Sequence, residues 1–262
     1  MSDDPVGLEV WLSAVESSHR RLSGAVGGLT ADQITGPSYD RDWSIAQVLS
    51  HLGSGAEIFT AFLQAGLRGE PAPGVDQFTP VWERWNAKAP EAQAADALVA
   101  DRAFLDRLAA LDDAARRSWT LPLFGTDQTL VDVVTLRLGE HAVHTWDVVV
   151  VGDAAAVVAP DAVDLLIDNL GAMVARVGAA PEPALEVAVT THGPDRRYAL
   201  VAGGGGVELT GPGPDEAGRP TLDLPAEAFL RLVYGRLDPE HTPDSVTGSA
   251  PLDLVRRVFP GF

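Results

Sequence analysis

The hydrophobic period of this chain changes near Pro181, and that change limits it to two pieces of different architecture. Up to about residue 177 the apolar side chains recur at the three- and four-residue spacing of amphipathic helices. Beyond Pro181, Leu185-Glu186-Val187-Ala188-Val189-Thr190 alternates as a half-buried strand does, as do residues 198–201 and 207–209, with a glycine turn at 203–206. A helical part followed by a smaller α+β part is expected.

The helices can be placed individually. Val6, Leu8, Val10, Trp11, Ala14, Val15 and Leu22 suggest a first helix over about residues 6–24, broken by Pro37 and the polar run to Asp42. The second has a clear start: Ser44 as N-cap, Gln47 completing a capping box, and Trp43 placed to staple onto Val48. Ile45, Val48, Leu49 and Leu52 form its apolar stripe, and His51, about sixty degrees from Val48, sits at the stripe's edge, where its imidazole can turn inward.

After a Pro- and Gly-rich loop at 69–78, a third helical region is expected over 79–117, interrupted near Pro90, with Leu98, Phe104, Leu105, Leu108 and Leu111 buried. Thr129 opens the fourth as N-cap, with Asp132 in a first turn whose dipole favours an acid. Its inner face can carry Leu130, Val133, Val134, Arg137, Glu140, His141, His144 and Val148. Four such helices suggest a bundle, a scaffold that builds metal sites from facing helices. Another apolar helix is expected over 160–177, a surface loop over 211–220, and two closing helices, one with Pro225 in its first turn and Gly235 at its end, the other over 251–259.

If the second and fourth helices pack together, His51, Glu140 and His144 bring two imidazoles and one carboxylate to one place. That is a catalytic zinc ligand set with the fourth position open. His141 and His144, three apart, form a rival pair of equal geometric merit, and an ordinary ion-paired Glu140 and His144 would have the same spacing. Spacing does not choose between Glu140 and His141.

Charge and cysteine content bound the chemistry. With 37 acidic against 19 basic residues, a net charge of -18 repels phosphate backbones and anionic lipid surfaces, so nucleic acid and membrane are not the expected partners. Residues 1–5 have neither the basic region nor the apolar run of a signal peptide, and the cytoplasm is the expected compartment. The absence of cysteine means that any thiol chemistry uses a thiol brought from outside.

The run Asp42-Trp43-Ser44-Ile45-Ala46-Gln47-Val48-Leu49-Ser50-His51-Leu52, the pattern Arg137-x-x-Glu140-x-x-x-His144-x-Trp146-Asp147, and Gly235-Arg236-Leu237 followed by Val246-x-Gly248 together resemble the mycothiol-dependent maleylpyruvate isomerase family over most of the chain. The resemblance implies a DinB-like metal-binding four-helix bundle over 1–152, a linking helix over 153–180 and a sterol-carrier-like α+β domain over 181–262. It implies His51, Glu140 and His144 as ligands of a divalent metal, zinc foremost, with His141 a neighbour. It also implies mycothiol as the thiol cosubstrate, its thiolate adding to the double bond of maleylpyruvate so that rotation and expulsion leave fumarylpyruvate.

A dicarboxylate substrate needs cations, and Arg236, then Arg84, are the candidates for clamping it. Arg137 and Asp147 are expected to orient ligands, Arg137 toward Glu140 and Asp147 toward an imidazole nitrogen or a backbone donor. Trp43 and Trp146 are expected in the core. Two other functions fit the same residues: a mycothiol S-transferase acting on electrophiles, and a non-catalytic ligand-binding protein whose bundle the metal staples.

Overall fold

The computed structural model describes residues 7–40, 42–213 and 218–261. The chain divides into two compact units, Met1–Ala156 and Val157–Phe262. The first contains α1 (Leu8–Gly27), α2 (Ala31–Thr35), α3 (Ile45–Arg68), α4 (Val75–Asn86), α5 (Pro90–Ala109), α6 (Asp113–Ser118), the hairpin β1 (Thr120–Leu123) and β2 (Thr126–Thr129), and α7 (Leu130–Val149). Helix α3 packs against α5 and α7, and α1 packs against the same two.

The helices that carry the candidate site begin where local chemistry says they should. Ser44 Oγ accepts from the Gln47 amide at 3.2 Å while Gln47 Oε1 accepts from the Ser44 amide at 2.8 Å, satisfying two donors that a helix start leaves open. Thr129 and Asp132 do the same for α7 at 3.3 and 2.7 Å. Gly69, at φ 62°, ends α3 in the left-handed conformation that glycine adopts without strain. Gly53 lies under the Trp85 indole so closely that a Cβ there would come within 2.3 Å of the ring, which is how α4 lies flat on α3.

Several elements differ from expectation. The first helix runs on to Gly27, and its expected start at residue 6 lies outside the described residues, as do residues 1–5. The helical region expected over 79–117 is interrupted at Pro90 as expected, where Pro90 takes the first position of a new helix, and it breaks a second time before Asp112, which caps another. Helix α4 starts at Val75, inside the stretch expected to be loop. The β1–β2 hairpin turns on Phe124 and Gly125, at φ 55° and 82°, as a two-residue turn requires; its short, polar second strand carries no apolar alternation to betray it.

The second unit contains α8 (Pro160–Leu166), a 3-10 turn (Ile167–Asn169), α9 (Leu170–Val177), β3 (Leu185–His192), β4 (Arg196–Gly203), β5 (Gly206–Thr210), β6 (Thr221–Pro225), α10 (Ala226–Val233), a second 3-10 turn (Pro239–His241) and α11 (Leu252–Val258). Its sheet has the order β5-β4-β3-β6, with β6 parallel to β3 and the other pairs antiparallel. Leu185, Val187, Val189 and Thr191 face inward along β3, and α10 is buried along nearly its whole length.

The strand β6 was not legible in advance, and Pro225 closes it and caps α10 rather than sitting in the helix's first turn. The 160–177 segment, expected as one linking helix, is two helices that pack on β5 and α10 within this unit. Within the 211–220 stretch expected as loop, residues 214–217 lie outside the described ones. No helix among the described residues is long and apolar enough to cross a membrane.

Candidate metal centre

Helices α3 and α7 pack together and bring the three residues into one cluster. His51 Nε2 lies 3.1 Å from Glu140 Oε2, and His144 Nε2 lies 3.6 Å from the same oxygen. The imidazoles of His51 and His144 meet edge to face with centroids 4.7 Å apart. Nitrogen and oxygen donors bound at about 2.0–2.2 Å around a tetrahedral cation stand roughly 3.4 Å from one another, so the donor set fits a divalent metal. The other nitrogen of His144, Nδ1, is held at 2.8 Å by the buried Asp147 Oδ2, which leaves Nε2 as the atom turned to the cluster. Asp147 therefore meets an imidazole nitrogen, one of the two partners expected for it.

The electrostatics of the cluster favour a cation. Burial pushes the Glu140 carboxyl up, but hydrogen bonds from His144 and His51 outweigh it and hold the group well below the usual carboxylate range. Burial works against charge on His144 too, yet hydrogen bonds to Asp147 and Glu140 raise its pKa to about 9. Burial lowers His51, with the nearby His144 and Arg137 adding to it and Glu140 opposing. Glu140 and Asp147 thus place two carboxyl groups against the His144 imidazole, and a dication can take the place of a proton on its Nε2.

A cavity of about 450 Å3 opens beside His51, lined by Trp43, Gln47, Ser54, Trp82 and Asn86 as well. Trp43, expected in the core, is half-buried and packs its ring 5.5 Å from the His51 imidazole, so one side of it faces this space. Trp146 is in the core as expected, with Nε1 donating to the Ala156 carbonyl at 2.8 Å.

Residues 15–149 match the family model described as the mycothiol maleylpyruvate isomerase N-terminal domain, and residues 158–254 match the C-terminal domain of the same family. The chain belongs to this family of enzymes. A solved structure of the mycothiol-dependent maleylpyruvate isomerase is similar at a TM-score of 0.69 and 14% identity, covering 94% of each chain. So is a histidine-to-alanine mutant of that enzyme, at 0.69 and 15% with the same coverage. A curated D-inositol 3-phosphate glycosyltransferase of Thermobispora bispora is 29% identical over 143 residues, or 55% of this chain, and the match spans only 30% of that relative's length.

In this member of the mycothiol maleylpyruvate isomerase family a second group of donors stands close to the first. His141, adjacent to Glu140 in sequence, faces the other way: its Nε2 lies 2.9 Å from Asp101 Oδ2, which also meets His19 Nδ1 at 2.7 Å. Arg137 Nη2 donates to Asp101 Oδ1 at 2.6 Å and to the Leu52 carbonyl at 3.1 Å. Arg137 was expected to reach Glu140; it is bound instead to Asp101, because its side chain enters the interior between α3 and α5. His19, Asp101 and His141 could also hold an ion by geometry, but the guanidinium already supplies positive charge to that carboxylate.

The sequence reading missed Asp101, although a signal was present. Ala97, Asp101, Phe104, Leu105 and Leu108 recur on one face of α5, so a carboxylate interrupts the buried stripe and has to find partners there. Trp82 and Asn86, which line the cavity, were also missed, since their helix faces solvent over most of its surface.

The two candidate substrate clamps have definite surroundings. Arg84 is exposed and pairs with Glu57, which also accepts from Trp85 Nε1 at 2.8 Å. Arg236, in the second unit, is buried at 4% exposure and donates from Nη1 to the Tyr234 carbonyl at 2.6 Å, so it is not the solvated side chain that a helix-end arginine usually is.

Proposed function

We propose that this protein is a metal-dependent, mycothiol-using enzyme that isomerises maleylpyruvate or a closely related cis-unsaturated dicarboxylate. The observation that carries the reading is the convergence of His51 Nε2, Glu140 Oε2 and His144 Nε2 beside an open cavity. In this reading the three residues hold one divalent metal, zinc foremost, in a DinB-like four-helix bundle formed by α1, α3, α5 and α7, and the second unit is sterol-carrier-like. A divalent metal held there stabilises a bound thiolate at neutral pH.

Asp147 keeps His144 in the tautomer that presents Nε2, and the His51 side of the cluster is open to the cavity from which a thiol enters. A thiolate bound there would supply a nucleophile that adds to the substrate's double bond, the π pair moving onto the conjugated carbonyl, and that leaves again, the pair returning, once the resulting single bond has turned to the trans form. Arg236 is the proposed partner of a substrate carboxylate, and Arg84, already paired with Glu57, ranks behind it.

The test combines metal analysis with mycothiol-dependent turnover of maleylpyruvate and the thiolate-to-metal absorption of cobalt-substituted protein. Stoichiometric metal, sulfur at the metal and thiol-dependent isomerisation are expected, with Arg236→Ala keeping the first two and losing turnover. Thiol transfer to an electrophile without isomerisation would make the protein an S-transferase. Metal that never meets sulfur at saturating thiol would leave a metal-stapled ligand-binding protein.

A further inference from the structure

The cavity beside His51 has a chemistry of its own. Trp43, Gln47, Ser54, Trp82 and Asn86 line it with His51, and none of them is a carboxylate, lysine or arginine. An ionised ligand group would lose its hydration there without gaining a counter-charge. Two indoles supply flat apolar faces, Trp82 with 37% of its surface exposed.

The polar groups around these rings are oriented by their own hydrogen bonds. Gln47 Oε1 is committed to the Ser44 amide at 2.8 Å, and Asn86 Oδ1 accepts from Ser50 Oγ at 3.0 Å. Each amide therefore has its NH2 left to donate. Ser54 Oγ donates to the His51 carbonyl at 2.9 Å, which leaves its lone pairs to accept. Aromatic faces flanked by neutral amide donors and a hydroxyl acceptor recognise a ring with an apolar face and a rim of hydroxyls, the chemistry of a carbohydrate or cyclitol.

We propose that this cavity holds the neutral, hydroxyl-rich arm of the thiol cosubstrate, with the sulfur end at His51 and the rings against Trp43 and Trp82. The assignment rests on the proposed reading that an external thiol brings its sulfur to the His51, Glu140 and His144 cluster. Mycothiol is a thiol of this class, its cysteine joined to two polyhydroxylated rings, and a cavity of about 450 Å3 is of the size that takes such a group. The cavity then selects the thiol by its sugar arm, while the metal cluster takes any thiolate.

The test is calorimetric titration of the zinc-loaded full-length chain with mycothiol, with N-acetylcysteine, and with the thiol-free arm as the neutral N-acetylglucosaminyl-inositol. Mycothiol should bind at least about tenfold more tightly than N-acetylcysteine, and the arm alone should bind, change tryptophan emission and compete with mycothiol. Trp82→Ala and Asn86→Ala should each weaken mycothiol and the arm about tenfold while leaving N-acetylcysteine unchanged. Equal affinity for the two thiols, an arm that does not compete, or wild-type preference in both variants would overturn the assignment while leaving the thiol at the metal intact. Failure of every thiol to bind would overturn it together with the proposed function.

Discussion

Replacing Asp101 with asparagine tests whether a buried charge network holds together the helices on which the candidate centre stands. The carboxylate is 1% exposed and meets Arg137 Nη2 at 2.6 Å, His19 Nδ1 at 2.7 Å and His141 Nε2 at 2.9 Å, joining α1, α5 and α7. Asparagine keeps the shape, removes the charge and points an NH2 at groups that are themselves donors. Removing one partner of a buried ion pair costs about 3–5 kcal/mol because the other charge is left without compensation. The amide oxygen that asparagine keeps can still accept from one of these partners, so the lower end of that range, about 3 kcal/mol, is expected.

All six tryptophans, at positions 11, 43, 82, 85, 119 and 146, lie in the first unit, so fluorescence in urea follows that unit alone. At a slope of about 2 kcal/mol per molar urea, the midpoint of Asp101→Asn should fall by about 1.5 M. Arg137→Met should cost a similar amount, and the double variant should cost less than the sum by at least about 1 kcal/mol. A midpoint shift under roughly 0.5 M, or additive losses, would show that the network does not stabilise the unit. The pH dependence has a definite sign. Burial raises the Asp101 pKa, but the charges of His141 and Arg137 override it and hold the group well below its ordinary value. Its contribution is then complete above the unfolded carboxylate pKa of about 3.9 and drains away as pH falls below it, and Asp101→Asn should lose that acid-side slope.

Three further outcomes are expected. His51→Ala and His144→Ala should purify without stoichiometric metal, while His141→Ala should keep it and be less stable; metal analysis showing the reverse for His141 and Glu140→Ala would move the site to the other residue. Asp147→Asn should weaken metal affinity about 10–100-fold in a chelator competition, since it orients a ligand without touching the metal, and unchanged affinity would dismiss that role. Gly53→Ala should cost about 1–3 kcal/mol and alter Trp85 emission, because its Cβ would overlap the indole; an unchanged urea midpoint would refute the packing.

Local chemistry made much of the site legible in the sequence. The capping boxes at Ser44 and Thr129 depend on groups three residues apart, and the phase of His51, Glu140 and His144 on their helices follows from the helical repeat. The switch from helical spacing to alternation placed the sheet-containing part for the same reason. Spacing could not choose between Glu140 and His141, because both lie within one turn of His144 and either could face α3. Only the packed structure separates them: the roughly hundred-degree turn between neighbouring residues points Glu140 at His51 and His141 at Asp101, forty positions away on another helix. Asp101 likewise captures Arg137, and β6 finds β3 across more than thirty residues. Helix starts and faces are written in neighbours within four residues, whereas partners across helices and strands are set by which buried groups must be satisfied once the core closes.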